Sequence, residues 1–391
     1  MREKLWTGKY ILALLTMFGI YIVSNILLSA VTLFAKDLTG NDTYAGLMTS
    51  IFTLGALAVR FLVGGLAVRG RVDNQRVVLL GLGIMILGSA LLINCGNILL
   101  ASVARGLQGV GFGLSATATS TLIATICRPS RLLDGISYMA VAQSLTAVIG
   151  PSLGYIIIGP AYNRFNLLFI CVIGIMVGLM WMLFLKRNNT GKSEATAVRE
   201  REDNPKVSWM ILGIPLFVLL LNAMTQSAIV SFLALYARSL NFAGVGSFFS
   251  VNALGMIASR FIMNRLVRRY GEFQMILMST IVFAISVFFL TRVTSILQML
   301  ALAFPAGFAM GSVSPIVNTN LIQSVSKHRI SLANALFLST LDIGYCLGSV
   351  VWGLTAARNG YAHVFFIAAL LQIIAAAGLF ISLNGRLLKF R

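Results

Sequence analysis

The feature that most restricts what this chain can fold into is a series of long stretches without a single Asp, Glu, Lys or Arg. Residues 10–35, 43–59, 165–185, 207–237, 239–259 and 273–291 are all of this kind. Each reaches at least the length of a helix that crosses a bilayer. A further run, 77–104, is too long for one span and breaks at "NCGN" (94–97), so it reads as a third helix and the start of a fourth that continues to about residue 122. The remaining spans fall at about 136–159, 295–324, 330–357 and 361–384. The expectation is an all-α integral membrane protein with twelve transmembrane helices. Composition agrees, because a chain with 58% hydrophobic and 10% charged residues cannot cover the surface of a soluble domain with polar groups. The first run contains Tyr21, Ser24 and Asn25, and no short apolar core ends at a small-residue cleavage site. It reads as a permanent helix rather than a leader.

The formal charge of +19 raises the question of nucleic acid. The positions of the charges exclude it. With both termini inside, the cytoplasmic segments hold 22 Lys and Arg, among them Arg2, Lys4, Lys9, Arg128, Arg131, Arg265, Arg268 and Arg269, and six between residues 186 and 206. The outer loops hold five: Lys36, Arg164, Arg238, Arg292 and Arg358. This is the bias that orients membrane helices, so the basicity reports topology and contact with anionic lipid. The expected location is the cytoplasmic membrane, multi-pass, with both termini in the cytoplasm.

The polar stretch "KRNNTGKSEATAVREREDNPK" mixes both charge signs and lacks an apolar period, which marks a flexible linker. It divides the chain into a six-helix bundle at 1–185, a cytoplasmic linker at 186–208 and a second six-helix bundle at 209–391. The halves are related. Residues 46–69 and 246–269 align without a gap at an offset of 200, and nine of 24 positions are identical, including Gly55/Gly255, Arg60/Arg260 and Arg69/Arg269. The same offset pairs Gly111 with Gly311 and Thr119 with Thr319. Two parallel six-helix repeats predict a pseudo-symmetric pair of bundles with a substrate cavity between them. Arg60 and Arg260 lie near the cytoplasmic ends of their helices and either snorkel to headgroups or touch substrate.

Three stretches carry further information. In "RGLQGVGFG" (105–113), Gly109 and Gly113 share a helix face and admit a close neighbour, while Arg105 is permanently charged and about 12 Å below the outer surface. Gln108, one turn on, either supports Arg105 or faces substrate. In "IGPSLG" (149–154), Pro151 removes a backbone hydrogen bond and bends the helix. Gly150 and Gly154 are then expected to lie against the other half. "RFLVGGLAVRGR" (60–71) adds Gly64 and Arg69 at a cytoplasmic loop. Together these resemble, in order, the fourth-helix R-x-x-Q-G-x-G-x-G pattern, the core of the fifth-helix G-P-x-x-G antiporter motif, and the loop between helices two and three of the major facilitator superfamily, in its drug:proton antiporter branch. In that family the fourth-helix arginine is implicated in proton coupling. The third match is degraded, since the family's acid falls at Val68 here and at Arg268 in the second half; Asp73 and Asp134 are the acids near enough to replace it. "RLLDGISY" (131–138) and "SLANALFLSTLDIG" (331–344) resemble bacterial efflux members, which export drugs, sugars or metal-chelating metabolites.

Ten of the eleven acids fall in loops or at helix ends; Asp342 alone lies deep in a span. Its helix enters near Ile330, so Asp342 is about 18 Å in, a depth that coincides with that of Arg105 in a core about 30 Å thick. Burial favours the neutral carboxyl and a nearby guanidinium favours the charged one, so such a group can bind and release a proton. The alternative is a protonated Asp342 hydrogen-bonded to a neighbouring helix. Tyr21, Asn25, Gln143, Asn222, Gln226, Asn252 and Asn318 stand at apolar depth as well. Each either lines the cavity or joins helices by hydrogen bonds, and as a group they suit a substrate with hydrogen-bonding groups.

The four cysteines form no CxxC pair, and the two histidines, His328 and His363, lie in a loop and at a helix start, so no metal site or disulfide framework is readable. No Gly-rich phosphate loop is present. An enzyme would need a nucleophile with its base, and no span supplies one. The reading is a monomeric, cofactor-free secondary transporter whose partners are a small organic molecule, protons and lipid, exporting by proton antiport; a proton-coupled importer of a polar metabolite has the same pattern. The topology has a direct test. With Ser193→Cys as the sole cysteine, an impermeant thiol reagent outside intact cells is expected to leave the protein unlabelled and to label it in inverted vesicles; the reverse result overturns the orientation.

Overall fold

The computed structural model describes residues 6–67, 73–127, 131–159, 163–186, 209–242, 244–323 and 330–389. Within them the chain forms twelve helices. They are α1 Gly8–Thr39, α2 Asp42–Ala67, α3 Asn74–Leu91, α4 Ile98–Ile126, α5 Leu132–Ile158, α6 Phe165–Lys186, α7 Trp209–Ser239, α8 Gly246–Tyr270, α9 Glu272–Leu290, α10 Ile296–Gln323, α11 Ile330–Asn359 and α12 Tyr361–Lys389. All twelve contain a window long and apolar enough to cross a membrane. Helices are the outcome because a segment in hydrocarbon must satisfy every backbone N–H and C=O within itself. The one large displacement from the charge-free runs is at α8. The run 239–259 predicts a helix from residue 239, but Asn241 (φ 57) and Gly244 (φ 78) adopt left-handed backbone and turn the chain, so the helix begins at Gly246. It then continues through Arg260 to Tyr270. A turn built of uncharged residues leaves no mark in a charge count, and a charge near a helix end does not stop the helix.

Two compact units emerge, Met1–Thr39 with Ile51–Arg201, and Gly40–Ser50 with Glu202–Arg391. The expected linker, 186–208, lies outside the described residues apart from Lys186, the last residue of α6. In the first unit α1 packs on α4, α5 and α6, and α3 on α4 and α6. Tyr10, Ala13, Met17, Ile123 and Met139 form one of its apolar clusters. In the second, α7 packs on α10, α11 and α12, while α9 packs on α10 and α12. Val218, Leu219, Ile276, Val313, Val317 and Leu379 form its core. The first turns of α2 belong to this second unit by their contacts. Tyr361 donates to Asp42 Oδ1 at 2.5 Å, Ser50 and Ser349 share a hydrogen bond at 2.6 Å, and a Cβ at Gly46 would strike the Ser349 carbonyl oxygen.

Lipid tails are as apolar as leucine, so helices in a membrane associate through close packing rather than hydrophobic burial. Glycines supply that closeness here. A side chain at Gly109 would collide with the Phe52 carbonyl, and one at Gly113 would meet Ala56, which brings α4 onto α2. In the second unit Gly307 meets the Asn252 backbone and Gly311 meets Met256, which brings α10 onto α8. These contacts correct the repeat register. Phe52 and Asn252 differ by 200, but their partners Gly109 and Gly307 differ by 198. Gly311 is therefore the counterpart of Gly113, not of Gly111, which packs instead on Gly81 and Met85 of α3. The path from Phe52 to Gly109 is two residues longer than that from Asn252 to Gly307, and a gapless offset carries that difference forward as a false pairing.

Gly109→Val is expected to lower the thermal midpoint of the purified protein sharply or to abolish folding, because the obstacle is backbone that cannot move aside. Gly174→Ala, on α6 where an added Cβ meets nothing, is expected to be neutral or to stabilise by about 0.5–1 kcal/mol through helix propensity. Thermal unfolding of both in the same detergent checks the contrast.

Candidate functional site

Arg105 is 1% exposed. It lies two turns into α4, and a permanent charge at that depth requires compensation. One guanidinium nitrogen donates to Gln108 Oε1 at 2.7 Å. The other end of that amide, Nε2, donates to Ser89 Oγ at 2.9 Å, and the Ser89 hydroxyl donates to the Met85 carbonyl at 2.9 Å. Gly88 makes this possible, since a Cβ there would meet the Ala104 carbonyl and the Gln108 side chain. The guanidinium also stacks over the Phe52 ring, 4.6 Å from its centroid, an attraction worth roughly 2 kcal/mol when desolvated. Both ends of the Gln108 amide are thus engaged, and the side chain is fully buried.

The aromatic contact continues. Phe52 lies 5.4 Å from Phe112, and Phe112 takes the edge of Tyr21 at 5.1 Å and the Arg60 guanidinium at 5.6 Å. Arg60 is half-buried against this ring. Phe52, Phe112 and Ser89 were missed by sequence reasoning. Phe112 had a readable signal, since it stands seven residues after Arg105 and so on the same helix face. Phe52 and Ser89 had none, because they come from other helices. Asn25 donates to the Tyr21 carbonyl at 2.9 Å and to Thr146 Oγ1 at 3.2 Å, and the Thr146 hydroxyl donates to the Gln143 carbonyl at 2.6 Å. Gln143 itself is half-buried.

Gly150 corrects an expectation. It lies against Asn25 and Ile26 of α1, within its own unit, not against the other half. Pro151 lies inside the continuous fifth helix, and the glycine before it meets a neighbour in its own bundle. Gly154 is buried. Gly64 lies in α2 where the helix alone is described, and Arg69 and Val68 lie outside the described residues. Asp73 caps α3, accepting from the Gln75 backbone at 3.0 Å, and pairs with Arg76 at 3.2 Å in an exposed position.

In the second unit, Asp342 is half-buried in the middle of α11. Three residues on, the Tyr345 hydroxyl donates to Gln226 Oε1 at 3.2 Å, and Gln226 Nε2 donates to Asn222 Oδ1 at 2.6 Å. Gly344 and Gly348 let α11 approach the α7 backbone at Leu220 and Met224, and Trp352 secures the contact by donating to the Met224 carbonyl at 2.8 Å. Tyr345 was not anticipated from sequence. Asn252 donates to the Ala303 carbonyl at 3.1 Å and so joins α8 to α10. Asn318 on α10 and Arg260 on α8 are half-buried. With the corrected register, Ala303 is the counterpart of Arg105 and Asn252 the counterpart of Phe52. The same helix crossing carries its polar side chain on α4 in one unit and on α8 in the other.

Comparison with known proteins adds the following. The sequence model of the family described as the Major Facilitator Superfamily matches residues 13–245 and again residues 215–387. The chain is 22% identical over 357 residues to the staphylopine export protein of Staphylococcus aureus, covering 86% of this chain and 87% of that one. It is 27% identical over 342 residues to the multidrug resistance protein MdtG of Citrobacter koseri, covering 84% and 82%. Among solved structures, the nucleoside transporter NupG superposes with a TM-score of 0.73 at 12% identity over 96% of this chain and 99% of that one, a likeness of fold alone.

Removing Gln108 as the acceptor for Arg105 tests the cluster. Gln108→Leu leaves a buried cation short of one hydrogen bond, and a loss of about 1–3 kcal/mol in stability is expected, read as a lower thermal midpoint. Arg105→Lys keeps the charge but loses the planar fork that both stacks on Phe52 and reaches Gln108. Transport is expected to fall at least tenfold in that variant while the folded protein is still recovered; wild-type flux would return Arg105 to a purely structural role.

Proposed function

The chain belongs to the Major Facilitator Superfamily, as a multi-pass secondary transporter and not an enzyme, and we propose that it exports a small organic molecule in exchange for protons. The observation that carries the reading is Asp342. Among the described residues it is the acid that stands in the interior of a spanning helix, twelve residues from one end of α11, whereas Asp37, Asp42, Asp134 and Glu272 lie within a turn of a helix end. A carboxylate at that depth is tolerated because it can be neutralised, and taking up a proton from one side and losing it to the other supplies the driving step. The names of the two relatives, an export protein and a multidrug resistance protein, support the outward direction.

In this reading the proton carrier is Asp342 of the second unit, and Arg105 is a fixed positive charge of the first. Gln108, Ser89 and Phe52 hold that charge in place. Tyr21, Asn25 and Gln143 in the first unit, and Asn222, Gln226 and Asn318 in the second, are the polar side chains that suit a substrate with polar groups of its own. The family assignment and the charge distribution support an inner-membrane location with both termini and the linker in the cytoplasm.

Asp342→Asn is the decisive variant. It is nearly isosteric, keeps hydrogen-bonding capacity and cannot lose a proton. After a thermal-shift screen of organic compounds on the purified protein has supplied a substrate, the variant is expected to bind it with an affinity that no longer varies with pH. Substrate-driven proton movement in proteoliposomes is expected to vanish, while exchange of substrate for substrate survives. Undiminished proton coupling would make Asp342 a packing residue, and net uptake driven by an inward proton gradient would make the protein an importer.

A further inference from the structure

One face of α8 is exposed along its length and changes character toward its end. Leu254 (59% exposed), Ile257 and Phe261 (81% exposed) follow one another at three- and four-residue spacing, and Arg265 and Arg268 continue the same face, both exposed. Arg269 lies beside them at the last turn. The opposite face of the helix is the one that meets α10 through Asn252, Gly255 and Ser259. The stripe therefore runs from apolar side chains to arginines over about 20 Å at 1.5 Å per residue.

The arginines stand at the helix C-terminus, where the backbone dipole already favours cations. The first repeat does not share the feature, since Gly65 and Val68 occupy the positions of Arg265 and Arg268 at the α2/α8 offset of 200.

We infer that this stripe is a binding site for an anionic phospholipid, with an acyl chain along Leu254, Ile257 and Phe261 and the headgroup phosphate across Arg265 and Arg268. The match is one of both charge and polarity profile. Cationic side chains near a membrane surface attract an anionic headgroup, and an exposed apolar stripe in a spanning helix is covered by hydrocarbon. A soluble anion would use only the arginines, and a second copy of the chain would gain nothing from facing like charges.

The experiment titrates the purified full-length protein in detergent with phosphatidylglycerol and with phosphatidylcholine, following bound lipid by native mass spectrometry and the thermal midpoint. Phosphatidylglycerol is expected to bind and stabilise well above phosphatidylcholine. The double variant Arg265→Gln/Arg268→Gln is expected to lose about fivefold in affinity per arginine, roughly 1 kcal/mol each near a membrane surface. Arg265→Lys/Arg268→Lys is expected to retain most of the binding, which separates loss of charge from loss of fold. Arg292→Gln/Arg358→Gln, at the ends of other loops, is expected to change nothing. Phe261→Ala is expected to weaken the lipid further. Equal binding of the two lipids, undiminished binding by the glutamine variant, equal loss in the lysine variant, or displacement by millimolar inorganic phosphate with no effect of Phe261→Ala would each overturn the assignment. So would a concentration-dependent dimer that the glutamine variant abolishes.

Discussion

Hydrocarbon offers no hydrogen-bond partner, and that constraint governs every level of this protein. Each spanning segment must close its own backbone bonds, which leaves the helix as the available solution. With the backbone satisfied, there is little hydrophobic gain in bringing two such helices together. Association then depends on how closely backbones can approach. The glycines of α4 at Phe52 and Ala56, and those of α10 at Asn252 and Met256, bring the carbonyls of one helix to the surface of the next. A single methyl group at Gly109 or Gly307 would lie inside a neighbour's backbone.

The same constraint explains why polar side chains occur in linked groups. Arg105 is accompanied by Gln108, Ser89 and Phe52, so that an always-charged group has hydrogen bonds and a ring face in place of water. Asn222, Gln226 and Tyr345 bond in series between α7 and α11, and Thr225 and Gln372 do so between α7 and α12. Such groups are costly when partly satisfied, and in these two Asn222 Nδ2 and Gln372 Oε1 are left without a partner. They fix which face of each helix is inward, which an apolar surface of uniform chemistry does not.

Duplication produced two units with the same crossings and different chemistry at them. At the equivalent contact the first unit holds an arginine of α4 over a phenylalanine of α2, and the second holds an asparagine of α8 against a backbone carbonyl of α10. The aromatic path from Arg105 through Phe52 and Phe112 to Arg60 also belongs to the first unit.

Sequence by itself determined the number and type of helices, because the length of an apolar run and its freedom from charge are local properties that the bilayer reads directly. It singled out Asp342 and Arg105 for the same reason, since a charge in a long apolar segment is visible without knowing its neighbours. It also marked Gly109 and Gly113 as places of close approach, though not what approaches. Tertiary structure decided the rest. The start of α8 depended on left-handed backbone at Asn241 and Gly244, and the repeat register depended on a two-residue difference in the spacing of the contacting residues that only contact geometry exposes. Gly150 faces its own bundle, and Phe52, Ser89 and Tyr345 join the polar clusters from helices distant in the chain. A partner is chosen by which faces meet in three dimensions, and one chain's linear order does not contain that choice.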